Sequence, residues 1–475
     1  LFLEATMHAT KLLYVPQSVI DFPPQPDLRD AAHYILHAIF CGRAIRKGEE
    51  EWVPLNAQVL QNVTRLYKVA KDWLFDKRLI ACNGSYIPGE KSMGYKWLVP
   101  YDTAKRSPAS TAMSRTLIKR QARIEEGYSE GHRHLIHQLP HVHIDAEAAY
   151  QTIGMLKPKK ASEWSISDYR SFLYTSVRML ADGHLYHVRD DYGRFHTPIT
   201  SLHRELRRHL YSVDGSGRRQ PFVNLDIRNS QPLVLGLLLT SDEPSKPNVN
   251  LTAQRLTHLT QGLLTSDQIV NPEQIGSDQD SKELPYPSIL SRCPNETSQP
   301  GKTDLLDERT HKFGRCIASY IETCESGQFY ESLMRSFPHI RHASNFATTE
   351  RQEEMRAAFK VKVFGEICFG PVKDTELTQE FRAFWPAVWD RIVKEKSGPE
   401  GYPALAREMQ RRESMLMIDR VGARLARELP QVPVATIHDS VLVPPEHQDQ
   451  VLRIMREEWG RHGLHPAISA KSCDA

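Results

Sequence analysis

The run Ala435-Thr436-Ile437-His438-Asp439-Ser440-Val441-Leu442-Val443 constrains the fold of this chain more than any other segment. Two short apolar stretches flank a His-Asp pair, which is the pattern of a β-hairpin with a carboxylate at its tip. Such a hairpin pins a negative charge at the edge of a sheet. Upstream, Phe222-Val223-Asn224-Leu225-Asp226 reads as a second short strand ending in an acid. Two strand-end aspartates far apart in sequence can meet on one sheet and hold two divalent ions. Two metals about 3.5–4 Å apart stabilise both the attacking and the leaving oxygen of phosphoryl transfer. Taken singly, either acid is equally well a turn residue, because Asp and Ser favour turns. The pairing gains weight only from what lies between them.

At 475 residues the chain is too long for one small core, and two or three domains are expected. Its hydrophobic share of 40% and charged share of 25% are those of a globular protein without membrane spans. No charged segment followed by a long apolar core marks a secretory signal. The seven cysteines are scattered, odd in number and without CxxC spacing. That usage points to a reducing, cytoplasmic setting and away from disulfide frameworks and zinc fingers. A net charge of +3 does not announce a nucleic-acid binder. Local clustering says more: Arg204, Arg207, Arg208, Arg218 and Arg219 form a basic stretch of the kind phosphate contact requires, or else a solvated face.

The chain divides by pattern into an N-terminal unit of residues 1–100, a helical, polar stretch over 101–190, and a strand-bearing region over 191–240. A Ser-, Asp- and Pro-rich insertion over 241–312 follows, read as largely loop or disordered. A helical region over 313–400 precedes a final region over 401–475. In the first unit, helices over 27–46 and 55–75 precede strands around an Asn83-Gly84 turn signal, an order like that of a winged helix. Lys68, Lys71, Lys77, Arg78, Lys91 and Lys96 could then face phosphates. Five histidines crowd residues 131–143 without a neighbouring Cys or sustained i,i+4 pair, and read as surface or hydrogen-bonded groups rather than a zinc site. Asp145-Ala146-Glu147 has the form of a proofreading-exonuclease opening, but Asp145 reads better as the cap of a helix over 146–156.

Between the two acids lies Arg356-Ala357-Ala358-Phe359-Lys360-Val361-Lys362-Val363-Phe364-Gly365. On a helix, Arg356, Lys360 and Phe364 fall at i, i+4 and i+8 and line one face. Two cations so placed would grip a triphosphate, with an aromatic ring against a base or sugar. Tyr192-Gly193-Arg194-Phe195 precedes the first acid, and a helix over 405–421 containing Met409-Gln410 precedes the hairpin.

In this order the segments resemble the family A polymerase superfamily, which includes bacterial DNA polymerases and the related single-subunit phage-type RNA polymerases. Gly193-Arg194-Phe195 looks like the family's GR[LF] element, and Asp226 like the metal-binding acid of motif A. Arg356 and Lys360 are similar to the RxxxK of motif B, and His438-Asp439 to the HD of motif C. Met409-Gln410 looks like the Gln-bearing helix that contacts template or primer. The resemblance covers roughly residues 185–465. Departures are visible. Asp226 is followed by Ile-Arg-Asn-Ser-Gln-Pro, so Ser230-Gln231 is displaced by two residues and lacks the family's sugar-gating Glu. Motif C ends in Ser440, as in the phage-type RNA polymerases, and Phe369-Gly370 falls one residue late.

The resemblance implies an α+β, right-hand polymerase with an antiparallel palm sheet and helical fingers and thumb, beside the winged-helix-like N-terminal domain. The palm would be 191–240 and 401–475, the fingers 313–400 and the thumb-like part 101–190. It implies a template-directed nucleotidyltransferase, foremost a DNA polymerase without proofreading, working on a primer-template duplex and nucleoside triphosphates. Asp226 and Asp439 would hold two Mg²⁺ ions, Arg356, Lys360 and Phe364 would bind the nucleotide, and Arg194, Gln410 and His438 would contact nucleic acid. The alternatives are a single-subunit-type RNA polymerase, or a non-catalytic replication initiator or regulator acting through its N-terminal part.

Overall fold

The computed structural model describes residues 10–45, 52–87, 92–157, 166–240, 316–345 and 348–473. The expected insertion over 241–312 and Lys91 lie outside them. The chain folds into helices and small antiparallel sheets around three apolar cores. Among the described residues no helix is long and apolar enough to cross a membrane.

The N-terminal core forms around the helix Pro26–Ile45, which starts with proline at its first turn and an acid, Asp27, beside it. Ile35, Leu36, Ile39 and Phe40 on this helix are fully buried. Beyond it come the strand Val53–Pro54, the helices Ala57–Val63 and Tyr67–Asp76, and the strands Ile80–Cys82 and Gly94–Trp97. The Asn56 side chain accepts from the Gln58 and Val59 N–H groups, which starts the second helix. Gly94–Trp97 lies between the other two strands in one antiparallel sheet. A separate ribbon pairs Leu12–Pro16 with Ala104–Pro108.

Helices dominate the next stretch: Thr111–Glu125, Glu130–Gln138, Ala146–Met155 and Ile166–Ala181. Asp145 is the expected cap, its carboxylate accepting from the Ala148 N–H at 3.1 Å. The Arg204–Arg219 cluster is not a bare cationic stripe. Arg204 and Arg208 pair with Glu205, Arg218 with Asp214, and Arg219 with Asp145. These pairs are weak, so three carboxylates offset part of the charge of the five arginines without locking them.

The sheet that matters for function has four antiparallel strands in the order Ala435–Ile437, Ser440–Val443, Val223–Ile227, Ile468–Ser472. Alternation along Val223–Ile227 sends Val223, Leu225 and Ile227 into the largest core and leaves Asn224 and Asp226 on the other face. The last strand carries a polar sequence, Ile-Ser-Ala-Lys-Ser, and gives no apolar run to read; tertiary pairing alone makes it a strand. The helix Ser230–Thr240 is apolar all round and correspondingly buried.

Candidate active site

Asp226 sits near the end of the central strand, opposite Ser440 on one side and Ser469 on the other. Asp439 occupies the two-residue turn between Ile437 and Ser440, and its carbonyl accepts from the Ile227 N–H at 3.3 Å. The two acids therefore stand close together, Asp226 on a strand and Asp439 in the turn that leads into the neighbouring strand. The turn is held in an unusual shape. His438 takes φ = 57°, where hairpins usually place glycine, and such strain persists only where surrounding structure imposes it. The His438 ring lies edge-on to His196 at 6.2 Å, and His196 meets Asp190 at 2.9 Å.

The electrostatics of the two acids follow from this placement. Although Asp439 keeps some contact with solvent, desolvation by its surroundings, followed by the charges of Glu413 and Asp226, pushes its carboxyl up to about 7. A bond from the Ser230 hydroxyl and the Lys360 charge oppose that rise. Burial also raises Asp226, against Lys360, Lys471, Arg228 and Arg356, which favour its charged form. Lys360 thus acts on both acids, and Arg356 on one.

Both cations come from the helix Thr349–Val363, started by the Thr348 hydroxyl, which accepts from the Arg351 N–H. The expected i, i+4, i+8 face is formed: Arg356, Lys360 and Phe364 are all half-buried, and Ala357, Val361 and Lys362 point out. Arg356 pairs with Glu331 at 2.5 Å and stacks over Tyr330 at 5.2 Å. Lys360 lies 5.9 Å from the Tyr330 ring and 5.5 Å from that of Phe364. Phe364 stacks on Phe369 at 5.1 Å. Phe364–Cys368 is a π turn closed by the Phe369 N–H on the Phe364 carbonyl, and such a turn absorbs one extra residue. Gly370 is required there, since a Cβ would lie 2.0 Å from the Gly365 carbonyl oxygen.

The residue that sequence reasoning missed is Glu413. It is buried on the helix Pro403–Ser414 and takes the Arg194 guanidinium on Oε2, at 2.6 Å from Nη2 and 3.2 Å from Nε. The Gln231 amide donates to its other oxygen, and the Ser230 hydroxyl lies 3.4 Å from it. That same hydroxyl donates to Asp439 at 2.5 Å. Ser230 therefore joins the hairpin acid to Glu413, with Gln231 as a second donor to Glu413. Gln410, the expected nucleic-acid contact, lies half-buried one turn earlier on this helix, outside the Glu413 hydrogen-bond set. A signal for Glu413 was present. It follows Leu405 and Met409 at i+8 and i+4, so a charge stands on an otherwise apolar stripe. Arg194, expected to touch a duplex, is mostly buried and spends its guanidinium on Glu413; burial disfavours its charge, but Glu413 more than offsets this and raises its pKa.

A pH effect follows. A carboxyl whose folded pKa is raised keeps its proton while the unfolded chain loses one, so stability falls as pH rises from about 4 through about 7. Asp439→Asn abolishes this loss. With chelator present, the variant should gain on the order of 2 kcal/mol relative to wild type between pH 5 and pH 8, discounted for partial solvent contact. Urea unfolding at both pH values measures it; an identical difference at each excludes the shifted acid.

No family model matches the sequence, and no curated protein matches it. Among solved structures the chain is similar to the POL domain of Pol1 from M. smegmatis in complex with DNA primer-template and dNTP. The match has 12% identity and a TM-score of 0.38, and spans 77% of this chain and 73% of that one. A likeness at that level leaves the chemistry to be argued from the site itself.

Proposed function

We propose that this protein is a template-directed nucleotidyltransferase, foremost a DNA-directed DNA polymerase. The observation that carries this reading is the placing of two strand-end acids, Asp226 and Asp439, side by side within the field of Lys360, with Arg356 one helical turn away. The palm is proposed as residues 191–240 and 401–475, the fingers as 313–400 and a thumb-like part as 101–190.

The donor set at the two acids is made of hard oxygens, and the burial that raises the Asp439 carboxyl, joined by the charges of Glu413 and Asp226, is what a divalent cation offsets. It fits Mg²⁺, and Asp226 and Asp439 would hold two such ions. When bound, Mg²⁺ supplies acidification of a primer 3′-hydroxyl and neutralisation of the leaving pyrophosphate. The chain's own groups do the rest. Arg356 and Lys360 bind and orient the triphosphate and meet the charge that develops on it. Phe364, stacked on Phe369, gives the nucleotide an apolar wall. Arg194, Gln410 and His438 are assigned to the nucleic acid, Arg194 from its anchored position on Glu413 and hence through duplex shape rather than sequence.

Lys360→Ala should lower incorporation by about 10²–10³-fold, in the range for loss of one preorganised charge-stabilising group. Primer extension across nucleotide concentrations reads it, and a change under about threefold removes Lys360 from the clamp. Extension with deoxy- and ribonucleotides offered separately decides between a DNA polymerase and a single-subunit-type RNA polymerase.

A second reading, a non-catalytic replication initiator or regulator, is favoured by the N-terminal topology. The order helix, strand, helix, helix, two strands, with Gly94–Trp97 central in the sheet, resembles a winged-helix module and supports that reading, with Lys68, Lys77 and Arg78 exposed on it. Duplex binding that depends on these three residues, with no incorporation of labelled nucleotide in Mg²⁺, would establish it instead.

A further inference from the structure

One buried cation has no part in the reaction proposed for the two acids. Lys396 ends the helix Pro386–Lys396 and is 5% exposed, while its neighbours Lys394 and Glu395 face solvent. Lysines are rarely buried to this degree unless their charge is matched. No carboxylate matches this one among the described residues, and Glu395 and Glu400 pair with Arg391 and Arg407 instead. The nearby Cys368 is no counter-ion, because burial pushes its thiol up to about 12 and keeps it neutral. Burial lowers the Lys396 ammonium to about 8, with Cys368 opposing the shift. Main chain holds the ammonium. Its Nζ donates to the Ile367 carbonyl at 2.6 Å and to the Gly370 carbonyl at 2.7 Å.

Those two carbonyls lie on either side of Phe369, where the chain leaves the cationic helix through the π turn Phe364–Cys368. Carbonyls at a helix end lack partners further along the chain, and a buried one left unpaired is costly. A cation at that end also meets the negative pole of the helix dipole. The same turn carries the two stacked rings, Phe364 and Phe369, with their planes 18° apart. We propose that Lys396 is a positioning residue for the incoming nucleotide: by bridging the Ile367 and Gly370 carbonyls it fixes the Phe364–Phe369 pair as the wall for base and sugar. A methionine of similar length would fill the space and leave both carbonyls unpaired, so the turn and its rings would be free to shift.

Among the described residues the hydrogen bonds of Lys396 stop at this turn. Arg356 is held separately, by Glu331 and the Tyr330 ring, and Lys360 lies over the same ring. Loss of Lys396 therefore weakens nucleotide binding more than the chemical step. The nucleotide role rests on the polymerase reading, whereas the bracing of the turn can be read without any activity.

Hydrogen exchange of the full chain is the first measurement. Lys396→Met should speed exchange at the amides of residues 364–370 by about tenfold or more, with the four-stranded sheet at its wild-type rates. Steady-state primer extension is the second. Lys396→Met should raise the nucleotide KM about tenfold, with kcat and duplex affinity within about threefold of wild type. Lys396→Arg, whose fork can still donate to both carbonyls, should recover most of that KM. On a Phe369→Ala background, Lys396→Met should change KM by no more than about twofold, since the wall it serves is already gone. Where Lys396→Met does not fold, Lys396→Gln, neutral and able to serve one carbonyl, should show the same changes in smaller measure. Unchanged exchange over residues 364–370, a fall in kcat at unchanged KM, or full additivity with Phe369→Ala overturns the proposal and leaves the polymerase reading standing. Wild type that extends no primer removes that reading, and the nucleotide role of Lys396 with it, whatever the exchange rates.

Discussion

Asp226→Ala and Asp439→Ala should each reduce nucleotide incorporation by at least about 10³-fold while primer-template binding stays within a few-fold of wild type. The magnitude comes from the chemistry proposed for the pair. Each tenfold in rate is about 1.36 kcal/mol of barrier, and removing half of a two-carboxylate cation site forfeits several kcal/mol of charge stabilisation. Duplex binding should survive because phosphate contacts, not the acids, supply it. The two variants should differ in one respect. Asp439 carries the raised carboxyl and the Ser230 bond, so its removal relieves repulsion on Asp226 and Glu413 and should stabilise the metal-free protein at pH 8. Asp226→Ala should do so less, since Lys360, Lys471, Arg228 and Arg356 already favour that charge. Single-turnover extension and duplex titration of both variants provide the check. Extension at wild-type rates by either one ends the polymerase reading.

Glu413→Ala should be the most destabilising single change at the site, by about 3 kcal/mol. Removing one partner of a buried ion pair typically costs about 3–5 kcal/mol, because the other charge is left uncompensated. The lower figure applies since Arg194 retains 22% side-chain exposure. Gln231 and Ser230 would lose an acceptor in the same step. The effect belongs to the pair rather than to a cavity, and a double variant tells these apart. Glu413→Leu combined with Arg194→Met should recover most of the loss, as replacing a whole buried pair by apolar groups is often close to neutral. Denaturant unfolding of wild type, the single variant and the double variant decides it. A double variant as unstable as Glu413→Ala would mean that Glu413 acts through packing alone. Glu413→Ala should also draw the Asp439 carboxyl downward, because the Glu413 charge is among the causes that raise it. The pH at which stability is lost should fall accordingly.

How far the site was legible follows from how each residue is placed. The hairpin around His438-Asp439, the strand ending in Asp226, and the helical face of Arg356, Lys360 and Phe364 were all readable, and all three elements form where expected. Each is announced by a period of two or of about four within one short segment, and side-chain direction in a regular element follows from backbone geometry alone. Glu413 was half-legible: a lone charge on an apolar stripe signals a buried partner without saying which. Gln410, a neighbour on the same helix, is expected from the resemblance alone and not from any local pattern. The strand Ile468–Ser472 carried no signal, because a polar edge strand is defined by the partner it pairs with.

The sequence by itself determined the local elements, the acids at their ends and the cationic face between them, since each depends only on the order of residues along a few turns or strand positions. Only the tertiary structure decided that Asp226 stands beside Asp439, that Arg194 is neutralised by Glu413, and that Ser230 joins Glu413 to the hairpin acid. Those are encounters between elements far apart in the chain. They are set by how the cores pack and by how much water each charge loses when they do, quantities that no local period encodes.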